Sequence, residues 1–238
     1  SVPSIDALKH VAGEFKRLRD HQIPIYIIPG SHDYSPRGKT MIDVLEKSGL
    51  CVNVFKFNPE NGEMTITVDS KTGTQLAGVV GLRGALESQH YRVLNADTLR
   101  KQLKDDVVKI FLFHTLIREF TPKEFEMIDT DPVTVLPQGF DYYAGGHPHF
   151  VFQTDMRHQG YGLMTYPGPL FPNNVKELED LRCGGLYIVQ GSPGTLTARH
   201  VPLSLKRVVS FSFNAEGFAE KVSDRYSSKW FERTYMPV

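Results

Sequence analysis

Three short segments carry the residues of this sequence whose types and spacing could do chemistry: Gly30-Ser31-His32-Asp33, Phe113-His114 and Gly145-Gly146-His147-Pro148-His149. Neutral imidazole binds Mn, Fe, Zn and similar ions, and it carries protons near neutral pH. Two histidines one residue apart can enter a common site, and Gly145 and Gly146 are read as permitting close backbone approach and a sharp turn there. A single His-x-His is a weak signal, because histidines also sit in cores and on surfaces with ordinary hydrogen-bond partners. The joint pattern is more specific, since each segment stands where a strand should end.

The preceding runs are short and apolar: residues 23–28, 107–113 and 140–144 read as buried strands of an α/β sheet. Ligands of such sheets bind beyond the carboxyl ends of the strands, so His32, His114, His147 and His149 are predicted to converge although they are far apart in sequence. Ser4 is a predicted N-cap, followed by Ile5, Leu8, Val11, Ala12, Phe15 and Leu18 at helical spacing. A second helix is predicted over about 38–48, with Met41, Val44 and Leu45 inward and Gly49 just past its end. Segments 51–57 and 64–68 read as a hairpin joined through Pro59-Glu60-Asn61-Gly62, 75–82 as a strand and 96–103 as a helix. From Phe150 onward, apolar runs near 151, 163–166, 185–190 and 195–201 alternate with Gly and Pro turns, a β-rich texture. The fold class is therefore α/β, a sheet sandwich flanked by helices.

Composition narrows the function classes. The 238 residues are 40% hydrophobic, enough for a core. Lys+Arg and Asp+Glu balance at 27 each, so any polyanion must be bound by a local patch. Cys51 and Cys183 form no CxxC pattern and read as ordinary thiols in a reducing compartment. No run of about 18 apolar residues suggests a membrane span, and no leader pattern opens the chain, so an intracellular protein without membrane attachment is expected.

Pro29-Gly30-Ser31-His32-Asp33 resembles the Gly-Asn-His-Asp/Glu block of calcineurin-like metallophosphoesterases. Leu112-Phe113-His114 resembles their next metal histidine, and Gly146-His147-Pro148-His149 their terminal Gly-His-x-His block. Thr165-Tyr166-Pro167-Gly168-Pro169-Leu170 is similar to the Tyr-Pro-Gly-Ser segment of SbcD-type DNA-repair exonucleases, and Val201-Pro202-Leu203 with Arg207-Val208-Val209 resembles the entry into their capping domain. The resemblance implies a metallophosphoesterase domain over residues 1–200 and the beginning of a cap over 201–238. It implies His114 and His147 as ligands of one metal and His149 of the other, with His32 near the scissile phosphate and Asp33 orienting it. Two divalent ions, Mn by resemblance, about 3.5–4 Å apart would activate a water and neutralise the phosphodiester. Implied partners are DNA ends, an SbcC-type ATPase and a second copy of the chain, in the cytoplasm (nucleoid-associated) or nucleus.

The sequence departs from that family in two ways. The Asp-x-His and Gly-Asp blocks that would supply a bridging carboxylate are missing, and neither Asp6 nor Asp20 replaces them, so a fragment of a longer protein is expected. Ser31 stands where the family has a metal-binding Asn, and its hydroxyl is a shorter donor. Competing readings are a phosphoesterase acting on a small nucleotide or phosphoprotein, and a non-catalytic scaffold with a decayed metal site. Arg37-Gly38-Lys39, Arg118 and Lys123 are read as solvated loop residues rather than phosphate contacts, Tyr142, Tyr143, Phe150 and Phe152 as core, and Trp230 and Phe231 as an interface anchor or part of a cap core.

Overall fold

The computed structural model describes residues 4–34, 39–123, 130–205 and 208. Its order is α1 (Ile5–Asp20), β1 (Tyr26–Ile27), α2 (Met41–Lys47), β2 (Val52–Asn53), β3 (Phe57–Asn58), β4 (Glu63–Met64), β5 (Thr67–Val68), β6 (Gln75–Gly78), α3 (Ser88–Val93), α4 (Ala96–Arg100), β7 (Lys109–His114), β8 (Tyr142–Gly146), β9 (Val151–Asp155), β10 (Leu163–Pro167), α5 (Val175–Leu181), β11 (Gly184–Gln190) and β12 (Thr197–Leu203). The central layer is a six-stranded mixed sheet in the order β5-β6-β7-β8-β10-β9. Strands β6, β7, β8 and β10 run parallel, with β5 and β9 as antiparallel edges. The fold is thus α/β, a mixed sheet flanked by helices.

Alternation along β7 separates two faces. Lys109, Phe111 and Phe113 are buried on one side, while Ile110, Leu112 and His114 are only partly covered on the other. Phe111 and Phe113 join Met64, Tyr91, Leu99, Tyr143, Met164 and Tyr166 in the main core, where α3 and α4 cover the sheet. The opposite face is covered by the β11–β12 hairpin, whose Val189, Leu196 and Ala198 pack near Ile110, Tyr142 and Leu163. A smaller cluster holds α1 and α2 over the parallel pair β1–β2, through Leu8, Ala12, Phe15, Ile42, Leu45 and Cys51. A largely buried ion pair ties the layers: Lys109 Nζ lies 3.4 Å from Asp141 Oδ2, which also accepts the Lys109 backbone N–H, while Asp141 Oδ1 accepts the Gly194 N–H from the hairpin turn.

Several expectations are corrected by tertiary packing. Helix α1 begins at Ser4 as expected, its hydroxyl accepting the Ala7 N–H, yet Ile5 and Val11 stay exposed because the neighbouring layer reaches only Leu8, Ala12 and Phe15. In α2 the inward residues are Ile42 and Leu45, whereas Val44 is exposed. The capping box between Thr40 and Asp43 starts that helix and so sets its rotation. Segment 51–57 is divided between β2, paired with β1, and β3, paired with β4, the latter pair joined through Pro59-Glu60-Asn61-Gly62 as expected. Helices α3 and α5 had no counterpart in the sequence reading. Tyr142 and Tyr143 are buried, and Phe150 and Phe152 pack against the core. Arg37, Trp230 and Phe231, and nearly all of the predicted cap after residue 205, lie outside the described residues.

The core's dependence on its central aromatic is testable. Phe111 is fully buried against Phe140 and Tyr143, with ring centroids 5.2 Å and 6.1 Å away. Phe111→Ala is expected to lower unfolding free energy by about 3–5 kcal/mol in urea titration, with the slope unchanged.

Candidate metal centre

Parallel registry delivers the chemistry-bearing loops to one edge. His114, the last residue of β7, stands opposite Gly146, the last of β8. The end of β6 is tied to the end of β1 by the Gly81 N–H donating to the Pro29 carbonyl, at 2.9 Å. Loops following β1, β6, β7 and β8 therefore meet beyond the carboxyl ends of the strands, the place where such sheets bind ligands.

His114 occupies the centre, in a space cleared by three glycines. A Cβ on Gly30 would stand 2.9 Å from its Cε1, one on Gly146 2.9 Å from its Nδ1, and one on Gly81 would overlap its Cδ2. None of the three needs a left-handed backbone; they are small because the ring fills the volume. Gly145 is different again, since a Cβ there would strike the rings of Tyr166 and Phe113 on the opposite face. The sharp backbone feature expected at Gly145 and Gly146 falls instead on His147, with φ of 93°. A residue other than glycine in that region costs on the order of 1–3 kcal/mol, and such strain is held only where surroundings over-determine it.

The chain after His114 is anchored from below. Tyr166 donates its hydroxyl hydrogen to the Thr115 carbonyl at 2.7 Å and accepts the Ile117 N–H at 3.2 Å. Buried Asp131 accepts from the Thr115 and Ser88 hydroxyls, at 2.9 Å and 2.7 Å. Buried Glu87 accepts the Leu82 N–H, holding the turn that follows Gly81, and burial pushes its carboxyl up from the usual range.

Around His114 the other imidazoles gather. The rings of His114 and His147 stand 5.1 Å apart, edge to face. Ser31 is buried, with its hydroxyl and its N–H each 3.4 Å from His114 Nε2. Burial pushes the His114 imidazole down to about 4, and His147, His32 and His149 add to the effect in that order. His147, although exposed as a residue, has a crowded ring whose pKa is lowered first by desolvation, then by His149 and His32. His32 and Asp33 are exposed, and Asp33 Oδ2 accepts the Gly30 N–H at 2.7 Å, closing the loop that carries Ser31. His149 Nδ1 lies 2.8 Å from Glu177 Oε1 of α5. Glu177 is a site residue absent from the sequence reading; its signal was the Asn174-x-x-Glu177 spacing at a helix start. Gly81 was missed as well, and nothing local in the sequence marks it.

The donor set fits a divalent ion in kind. Depressed pKa values keep the His114 and His147 imidazoles neutral, as ligation requires. Ser31 Oγ and His114 Nε2 stand 3.4 Å apart, near enough to serve a common ion. In number the set is incomplete: among the described residues no group of three or more His, Cys, Asp or Glu side chains is arranged to hold an ion.

The chain is similar to several curated archaeal proteins named DNA double-strand break repair protein Mre11. The relative from Methanococcus maripaludis is 27% identical over 191 residues, covering 77% of this chain and 46% of its own length. That from Methanopyrus kandleri is 25% identical over 210 residues, 82% of this chain and 43% of the relative, and that from Sulfolobus acidocaldarius 30% identical over 158 residues, 62% and 35%. The chain thus spans less than half the length of these relatives. No family model matches it.

The depressed His114 pKa has a signed consequence for the metal-free chain. Below its ordinary value of about 6.5 the unfolded chain protonates this imidazole, whereas the folded chain resists until about 4. The unfolded state then binds more protons, so stability falls as pH drops from about 6.5 to about 4. Imidazole NMR should give a His114 midpoint near 4, and over that window wild type should lose more unfolding free energy than His114→Gln.

Proposed function

We propose that this chain forms the greater part of a metal-dependent phosphodiesterase core that hydrolyses DNA at ends in double-strand-break repair. The observation that carries the reading is the packing of His114 against His147 and Ser31 at the meeting point of four strand-end loops, with the rings of the two histidines 5.1 Å apart. Similarity to proteins named for double-strand break repair supports the substrate class. When bound, two divalent ions would supply charge neutralisation at the phosphodiester and an activated water.

The chain's own residues divide the remaining work. His114 and His147 keep basic nitrogens free because desolvation opposes their protonation, and Ser31 adds a neutral oxygen beside His114. His149 contributes from the far side of the His147-Pro148-His149 loop. His32, exposed beside this cluster, donates a proton to the leaving oxygen or stabilises phosphate charge, and Asp33 holds the loop that presents it. The resemblance implies that a bridging carboxylate would come from the family's Asp-x-His and Gly-Asp blocks. Capture of an SbcC-type ATPase and pairing with a second copy belong to the same reading and rest on the resemblance alone. A scaffold without metals is the competing reading, favoured by the absence of a three-ligand group among the described residues.

The test separates affinity from chemistry. The 238-residue chain alone is expected to bind Mn²⁺ weakly and to cleave DNA poorly. In a protein carrying the further ligands, His147→Ala should abolish Mn²⁺-dependent cleavage of linear duplex DNA. His32→Ala should leave Mn²⁺ binding by calorimetry nearly intact while slowing single-turnover cleavage about 10²–10⁴-fold. Ser31→Asn should tighten the metal site. Metal content and cleavage absent from that protein would establish the scaffold instead.

A further inference from the structure

We infer that Glu177 is the positioning residue of His149, setting which ring nitrogen is available to the centre; this rests on the metal reading above. The two are brought together by tertiary structure: His149 follows β8, while Glu177 lies in the first turn of α5, beyond the Tyr-Pro-Gly turn that ends β10. Glu177 Oε1 stands 2.8 Å from His149 Nδ1, and the Glu177 side chain is 17% exposed against 50% for His149. The carboxylate is the fixed partner. Its Oε2 accepts the Asn173 N–H at 2.8 Å, its Oε1 the Asn174 side-chain amide at 2.6 Å, and its own N–H returns to Asn174 Oδ1 at 2.9 Å.

The direction of the bond follows from chemistry. An ionised carboxylate only accepts, so the shared hydrogen belongs to Nδ1. Nε2 is then the one basic nitrogen of the ring, and rotation about the exposed side chain is restrained by the same bond. Carboxylates commonly orient metal-binding histidines in this way, and their removal typically lowers metal affinity about 10–100-fold. His149 needs such a partner more than His114 does, because His114 is wedged among glycines while His149 is open to solvent on a loop that leaves a strained residue.

A purely structural carboxylate at the start of α5 would predict no effect on the ring of His149, which supplies the test. Long-range ¹H–¹⁵N NMR of the metal-free chain at about pH 8, above the ordinary His range, is expected to show His149 in the Nδ1–H form. Glu177→Ala should release it to a mixture with the Nε2–H form, while Glu177→Gln, whose amide oxygen still accepts, should retain it. Glu177→Asp keeps the charge at the helix start but is one methylene shorter; it covers the case in which alanine unravels α5, and it should also release the tautomer with helix content by circular dichroism unchanged. In a protein carrying the further ligands, titration with Co²⁺, read by its visible absorption, should show affinity reduced about 10–100-fold in Glu177→Ala and recovered in Glu177→Gln. A His149 tautomer unaltered in both Glu177→Ala and Glu177→Asp overturns the assignment. A wild-type protein carrying those ligands that binds no Co²⁺ overturns the metal reading, while the NMR result still decides whether Glu177 sets the tautomer.

Discussion

The site depends on one steric constraint: the ring of His114 must fit where the ends of β1, β6 and β8 converge on β7. Parallel pairing places His114 level with Gly146, and the Gly81 to Pro29 hydrogen bond draws a third and fourth loop to the same height. The ring can occupy that crossing only because Gly30, Gly81 and Gly146 offer no Cβ. A methyl group at Gly81 would take the volume of the ring itself. Once His114 is so confined, its desolvation, its low proton affinity and its approach to Ser31 and His147 follow without further design.

The two faces of the sheet divide the labour. On one, Phe111, Phe113, Tyr143 and Tyr166 build a close-packed aromatic layer in which Tyr166 also spends its hydroxyl on the backbone just beyond His114. On the other, Ile110, Tyr142 and Leu163 lie beneath the β11–β12 hairpin, and His114 emerges at the end of β7. Rigid packing beneath the strand ends is what lets His147 keep φ at 93°, since a loosely held loop would relax toward a negative angle. Asp131 and Glu87 extend this support, pinning the segments that follow His114 and Gly81 through hydroxyl and backbone donors. Functional loops on a well-packed base are the usual solution of α/β sheets, and here the base lies directly under the imidazoles.

Much of this was legible in residue order. The apolar runs before His32, His114 and His147, ending in Gly or in the histidine itself, state both strand and strand end, and the structure sets β1, β7 and β8 there. Ser4 as a cap and the β-rich texture after Phe150 were equally local signals. What failed was rotation and partnership. Val44 and Val11 fit a helical stripe but stay exposed, because amphipathic spacing describes a helix and not the width of the layer covering it. Gly145 and Gly146 were read as turn formers although the first makes room for Tyr166 and Phe113 and the second for His114, a distinction of face that spacing cannot express.

By itself, then, the sequence determined the class of elements, the positions of strand ends and the residue types that meet at them, since these follow from periodicity, caps and breakers acting over a few residues. Only the tertiary structure decided that Gly81 frames His114, that the strain of the final loop falls on His147, and that Glu177 reaches His149 across 28 positions. Such pairings depend on which strands lie side by side and on which face each side chain emerges. Those are long-range choices, made by burying the whole aromatic layer at once rather than by any segment's own preference.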